Sequence, residues 1–201
     1  MKSSFNSSTL SKISIQSDDI CMMIPPVSSY QILIKGQTEM QSTTSIQHFY
    51  ETASATEKEL LDQFVQGLEK KRQGVYSTYV NAAFQFDISF PEETCKVTMP
   101  VTPMTTNSFG MPHGGVIATL IDNAMGFLVN KDLRPTGKGA VTTNLTIHYT
   151  KATTEPFVYS VASYLHKGSQ TMVLEASAYD SRDRRIAYAT GSFFVIDLPT
   201  R

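Results

Sequence analysis

The sequence predicts an α+β fold: a curved antiparallel β-sheet wrapped around one long central helix, with a helical extension on its N-terminal side. Three observations predict it. The segment from Gly114 or Gly115 to Asn130 is apolar nearly all round, with Val116, Ile117, Leu120, Ile121, Met125, Phe127 and Leu128, so it must be covered on most sides. Four alternating runs follow it in quick succession, and the turns between them are short enough to pair neighbours antiparallel. Two more strand candidates precede it, giving the order β-β-α-β-β-β-β.

From the N-terminus, residues 1–54 are rich in Ser, Thr and Gln, contain the pair Pro25 and Pro26, and lack sustained periodicity, as a disordered tail does. A short strand-like run, YQILIKG, interrupts them, and Met40 stands as an alternative start ahead of better-patterned sequence. Residues 55–74 read as an amphipathic helix. TEKELLDQFVQGLEKKRQG opens on a capping box of Thr56 and Glu59 and sets Leu60, Leu61, Phe64, Val65 and Leu68 on one face. It closes on Lys70, Lys71, Arg72 and Gly74, which suit a helix C-terminus. A solvated helix end explains those cations as well as a phosphate contact does.

Residues 75–198 form the main domain. AFQFDISF and CKVTMPV flank a Pro-Glu-Glu-Thr turn and predict a hairpin. The long helix comes next, then the loop NKDLRPTGKG, then the strands AVTTNLTIHYT, FVYSVASYLHK, TMVLEASAYD and RIAYATGSFFVI, joined by KATTEP, KGSQ and SRDR.

Composition excludes several classes of function. The chain has 201 residues and a formal net charge of −1, so no overall basic field exists to hold a nucleic-acid backbone or an anionic membrane. Cys21 and Cys95 have no CxxC partner, which argues against a zinc knuckle, any other metal centre or a disulfide framework and fits a reducing compartment. GGVIATLIDNAMGFLV, the longest apolar candidate, is broken by Asp122 and Asn123, so no membrane span is expected. The opening segment lacks the apolar core of a secretory signal, and no arginine precedes Arg72, which leaves the cytoplasm as the expected location.

Two features of the long helix carry chemistry. Gly114 and Gly115 at its start leave backbone N–H groups free to meet an oxyanion, reinforced by the helix dipole, although they would equally allow a tight entry into a packed helix. Asp122 places a carboxylate in an apolar helix, where it must be paired, hydrogen-bonded or facing a cleft; Ala118 and Gly126, one turn away on either side, leave room for water or substrate. Eight residues separate Gly114 from Asp122, about 12 Å along a helix rising 1.5 Å per residue, so one chain cannot bring both to one carbon. Two antiparallel copies could, which makes a homodimer, or a homotetramer built from it, a requirement of the chemistry.

The residues Asn107, His113, Gly114, Gly115 and Asp122, followed by the strand AVTTNLTIHYTKAT, resemble acyl-CoA thioesterases of the hotdog fold, of the phenylacetate-degradation (PaaI-like) type. The resemblance covers about residues 76–196. It implies hydrolysis of an acyl-CoA to free acid and coenzyme A, with coenzyme A as part of the substrate and no separate cofactor. It further implies Asp122 as general base or nucleophile and the Gly114 amide as the group polarising the thioester carbonyl. Asn107 would position the water or the carboxylate, His113 would orient the turn or the carbonyl, and Thr142 would be the hydroxyl residue early in the next strand. Strict alternation, however, groups Thr142 with Asn144, Thr146 and His148, opposite Leu145, Ile147 and Tyr149, so a bulge is needed to re-aim it.

Lys167, Gly168 and Ser169 could meet the phosphates of coenzyme A or simply form a hairpin turn, and Arg182, Arg184 and Arg185 carry the same ambiguity. Two other hotdog functions are alternatives: an acyl-CoA-binding regulator without hydrolysis, and a dehydratase using a His and an Asp. The acyl group, whether aromatic, medium-chain or long-chain, is not specified by these residues.

Overall fold

The computed structural model describes residues 40–198, with side chains from residue 45. YQILIKG, Cys21 and most of the expected tail lie outside the described residues. Within that tail, Met40–Thr52 forms helix α1. It has no sustained apolar stripe, and Gln47 donates to Glu51 one turn on at 3.0 Å.

The second unit begins at Ser54. Helix α2 (Ala55–Arg72) is capped two residues earlier than Thr56 and Glu59 suggest. The Ser54 hydroxyl accepts from the Glu57 N–H, and the Glu57 carboxylate accepts from the Ser54 N–H. SATE and TEKE both satisfy the box pattern, and the earlier one lets the helix close one more pair of backbone bonds. Phe64 and Val65, on its apolar face, remain exposed.

The expected hairpin forms, but its first strand is shorter than the alternation suggests, because Ala83 and Phe84 end a helix. Tyr79–Phe84 is a short helix, α3, capped by the Thr78 hydroxyl and ended by Gln85 in the left-handed region at φ 53°. Only Asp87–Ser89 (β1) is left to pair with Cys95–Pro100 (β2). Six residues are too few to display a helical period, and local capping decided the conformation.

The rest follows the expected order: α4 (Gly114–Leu133), then β3 (Lys138–Tyr149), β4 (Phe157–Lys167), β5 (Thr171–Asp180) and β6 (Arg185–Asp197). The six strands form one antiparallel sheet in the order β1-β2-β4-β5-β6-β3, the hotdog arrangement, with α4 across one face. Ile117, Leu120, Ile121, Ala124, Met125, Leu128 and Val129 form a stripe at three- and four-residue spacing. They bury against alternate residues of the strands, among them Val97, Met99, Val158, Leu174 and Phe193. Gly191 on β6 allows this approach, since a Cβ there would lie 2.7 Å from the Met125 sulfur. Long β3 closes one edge of the sheet and pairs only with β6 among the described residues. No helix among the described residues is long and apolar enough to cross a membrane.

Candidate active site

The entry to α4 sorts its free N–H groups. His113 is the N-cap, in extended conformation, and its Nδ1 accepts from the Gly115 N–H at 3.0 Å. The His113 carbonyl takes the Val116 and Ile117 N–H groups. The Gly115 amide is therefore occupied, whereas the Gly114 N–H has no acceptor among the described residues. The Gly114 carbonyl accepts from the Tyr149 hydroxyl at 2.7 Å, which ties the helix start to the end of β3. Burial raises the Tyr149 hydroxyl pKa, so it stays a donor at neutral pH.

Asn107 shapes the loop leading into this cap. Its Oδ1 accepts from the N–H groups of Phe109 (2.9 Å) and Met111 (3.3 Å), and its backbone pairs with Met111 and Gly110. Asn107 and Gly114 line one cleft, together with Ile117, Tyr149 and Lys151.

Asp122 opens on a second cleft of about 540 Å³, between the other side of α4 and the start of β3. Its side chain is half-buried, and its Oδ1 accepts from the Thr142 hydroxyl at 2.8 Å. A β-bulge makes this bond possible. The β3–β6 register shifts between Thr142 and Asn144, so Thr143 stands as the extra residue, its hydroxyl donating to the Ser192 carbonyl at 3.0 Å. Before the bulge the even positions Ala140 and Thr142 face α4; after it the odd positions Leu145, Ile147 and Tyr149 do. One inserted residue thus aims both Thr142 and Tyr149 at the helix, which unbroken alternation cannot do.

The chain brings Asp122 to Thr142 and Asn107 to Gly114, but it does not bring these pairs together, because they occupy two clefts eight residues apart on α4. Among the described residues no group of three or more His, Cys, Asp or Glu side chains is arranged to hold a metal ion.

The Lys167–Ser169 turn lines neither cleft. Lys167 is paired with Asp132, and Gly168 makes the tight turn into β5, where a Cβ would meet the Thr171 carbonyl oxygen at 2.6 Å. The arginines of the β5–β6 turn are likewise committed to structure. Arg184 pairs with buried Asp180 at 2.7 Å, and Arg182 pairs with Glu155 at 2.9 Å. Burial works to raise the Asp180 carboxyl, but the Arg184 side chain, the Arg184 and Arg182 N–H groups and the Thr153 hydroxyl outweigh it and hold the pKa down to about 2.

Sequence reasoning missed Lys131 and Arg134, the two cations that line the Asp122 cleft. Both sit in NKDLRPTGKG, which reads as a loop. Helix α4 runs on to Leu133, so Lys131 belongs to the helix and not to the loop that NKDLRPTGKG suggests.

Comparison with known proteins adds a lineage to this geometry. The family model of the thioesterase superfamily matches residues 109–187, a span that holds Gly114, Asp122 and Thr142. The proofreading thioesterase EntH of Cronobacter sakazakii is 31% identical over 97 residues, covering 47% of this chain and 68% of the relative. The structure of the BH2602 protein of Bacillus halodurans, solved with CoA, is 38% identical with a TM-score of 0.70, over 77% of this chain and 99% of that one. The E. coli PaaI protein of the phenylacetic acid degradation operon shares the fold at 23% identity and a TM-score of 0.56, over 68% of this chain and 99% of its own.

Proposed function

This chain belongs to the thioesterase superfamily and is a thioester hydrolase, and on that premise we propose that it hydrolyses acyl-CoA thioesters at a site shared between two copies. The observation that carries the two-copy reading is the separation of the free Gly114 N–H from the Asp122–Thr142 pair. CoA as the thiol is supported by the BH2602 structure, a relative at 38% identity that was solved with CoA.

In an antiparallel pair of α4 helices, Gly114 of one copy stands beside Asp122 of the other, and the two-fold generates two equivalent sites. The unpaired outer edge of β3 favours such a pair, because an exposed edge of twelve residues is a template for another strand. A tetramer would contain two of these dimers. The catalytic domain is residues 75–198.

The thioester carbonyl oxygen points at the partner's Gly114 N–H, where the helix dipole and the unpaired donor stabilise the negative charge that develops on it. Asp122, held by Thr142 through Oδ1, acts on the carbonyl carbon in one of two ways. As base it takes a proton from water while the water oxygen bonds to carbon. As nucleophile it bonds to carbon itself, forming an anhydride that water then opens. Collapse of the tetrahedral species in either case breaks the C–S bond and expels CoA thiolate, which is protonated to the thiol. In the copy that supplies Gly114, Asn107 shapes the adjoining loop and His113 fixes the cap that leaves that one amide free.

The test is release of free thiol from aromatic, medium-chain and long-chain acyl-CoAs. Turnover of at least one, with kcat/KM above 10⁴ M⁻¹s⁻¹ as an order-of-magnitude threshold, is the expected result. Tight binding of acyl-CoAs with no thiol released from any of them would overturn hydrolysis in favour of a sensor.

A further inference from the structure

We propose that Tyr149 is a positioning residue for the Gly114 amide, the counterpart of Thr142 on the same strand, so that β3 sets the place of both reacting groups; this rests on the reading of Gly114 and Asp122 above. The two braces are alike in kind. The Thr142 hydroxyl donates to Asp122 at 2.8 Å, and the Tyr149 hydroxyl donates to the Gly114 carbonyl at 2.7 Å. Both come from β3, seven residues apart, and the bulge at Thr143 aims them at α4 together.

Gly114 needs such a brace. Its neighbour Gly115 likewise lacks a Cβ, so α4 opens on the two residues with the widest backbone freedom. The peptide group that carries the free N–H is held at its other end, where the His113 carbonyl accepts from Val116 at 2.9 Å and Ile117 at 3.0 Å. The following peptide group is held at both ends. Its N–H, that of Gly115, donates to His113 Nδ1, and its carbonyl, that of Gly114, accepts from Tyr149. The bonds that involve His113, Val116 and Ile117 all lie within the cap and first turn and move with them. Tyr149 alone among these groups belongs to the sheet, where it stands opposite Ala187 of β6. Its ring also lies against the turn, 3.6 Å from the place of a Cβ on Gly114.

An external hold matters because an oxyanion donor acts at about 2.7–3.1 Å from the developing charge, and small displacements are costly. In a site shared between two copies the demand is stricter, since donor and base belong to different chains. β3 is the edge strand through which the copies would meet. Bracing both groups on that strand ties the donor of one copy and the base of the other to the same contact.

The test is a double-mutant cycle on kcat, for the acyl-CoA that is turned over fastest, between Tyr149→Phe and Gly114→Pro. Phenylalanine keeps the ring and deletes the hydroxyl, whereas proline deletes the N–H and keeps the carbonyl that Tyr149 holds. In the otherwise wild-type chain, Tyr149→Phe should lower kcat about five- to tenfold with KM nearly unchanged. In the Gly114→Pro chain the same change should cost less than about twofold, because the donor that Tyr149 aims is gone. An equal loss in both backgrounds would mean that Tyr149 serves packing or substrate binding, and overturns the proposal. So does an unchanged kcat, or a loss that falls on KM alone.

Infrared spectra of a thioester bound to the Asp122→Asn chain give a second readout that needs no turnover. The thioester carbonyl stretch should move to lower frequency on binding, lose part of that shift when Tyr149→Phe is added, and lose nearly all of it when Gly114→Pro is added. A shift that Gly114→Pro removes and Tyr149→Phe leaves whole would sink the brace while keeping the donor. A shift that Gly114→Pro leaves whole would remove the donor itself, and the brace with it.

Discussion

On the proposed two-copy reading, the start of α4 and its middle would carry different halves of one chemistry. At Gly114 the useful group is a backbone N–H, left free because His113 satisfies its neighbour, and no carboxylate lines that cleft. At Asp122 the useful group is a side chain braced by Thr142, in a part of the helix where each backbone N–H is already spent on the helical ladder. A helix exposes free N–H groups only in its first turn, while a side-chain base can sit wherever the sheet leaves a cleft. One helix can therefore supply both functions but cannot deliver both to one carbon. That explains why a small hydrolase of this architecture would need a second copy.

Substitutions at the two ends should break this comparison in different ways. Asp122→Asn keeps the shape and the bond from Thr142 but removes the basic charge, so kcat should fall roughly 10²- to 10⁴-fold while thermal stability and acyl-CoA affinity hold. Retention of near-normal kcat would place the base elsewhere. Gly114→Pro deletes the free donor alone. Proline is favoured at the first helical position, His113 before it is extended at ψ 134°, and a Cβ on Gly114 meets Tyr149 no closer than 3.6 Å. A loss of roughly 10²- to 10³-fold in kcat with the fold intact is expected.

The arginine-rich β5–β6 turn sharpens the contrast, since its charges hold structure. Asp180 has its pKa held at about 2, below the usual carboxylate range near 3.9, so the stability it contributes is fully present above about pH 4 and is lost as pH falls through about 2. Urea unfolding between pH 5 and pH 2 should show this loss, and Asp180→Asn should flatten it. An unaltered slope would mean that other carboxylates dominate.

Thr142→Val is the smallest of these changes. Losing one hydrogen bond to a charged group should cut kcat about tenfold, and Thr142→Ser should recover most of it. Equal losses in valine and serine variants would point to packing by the Thr142 methyl group.

The contrast between helix and cleft also marks what the sequence makes legible. The apolar circumference of 114–130 and the short turns after it were enough to place α4 inside one antiparallel sheet, because burial and connection length act over many residues at once. Thr142 was ambiguous for a specific reason: alternation assigns faces only until a bulge adds a residue, and nothing in VTTNLT says where the count slips. The six-residue helix α3 escaped for a related reason, its Thr78 cap and left-handed Gln85 being local events without a period. Lys131 and Arg134 were read as loop because NKDLRP looks like a helix end, and only the three-dimensional structure shows them lining the same cleft as Asp122.

The most direct measurement of the shared site mixes the two inactive variants. Asp122→Asn and Gly114→Pro chains are unfolded together, refolded as random dimers, and assayed for thiol release. If each site takes Asp122 from one copy and Gly114 from the other, every mixed dimer regains one complete site of two, and activity should recover to about a quarter of the wild-type value. No recovery above the sum of the separate variants, with mixed dimers verified by mass, would contradict the account, since it would mean that both groups act within one chain.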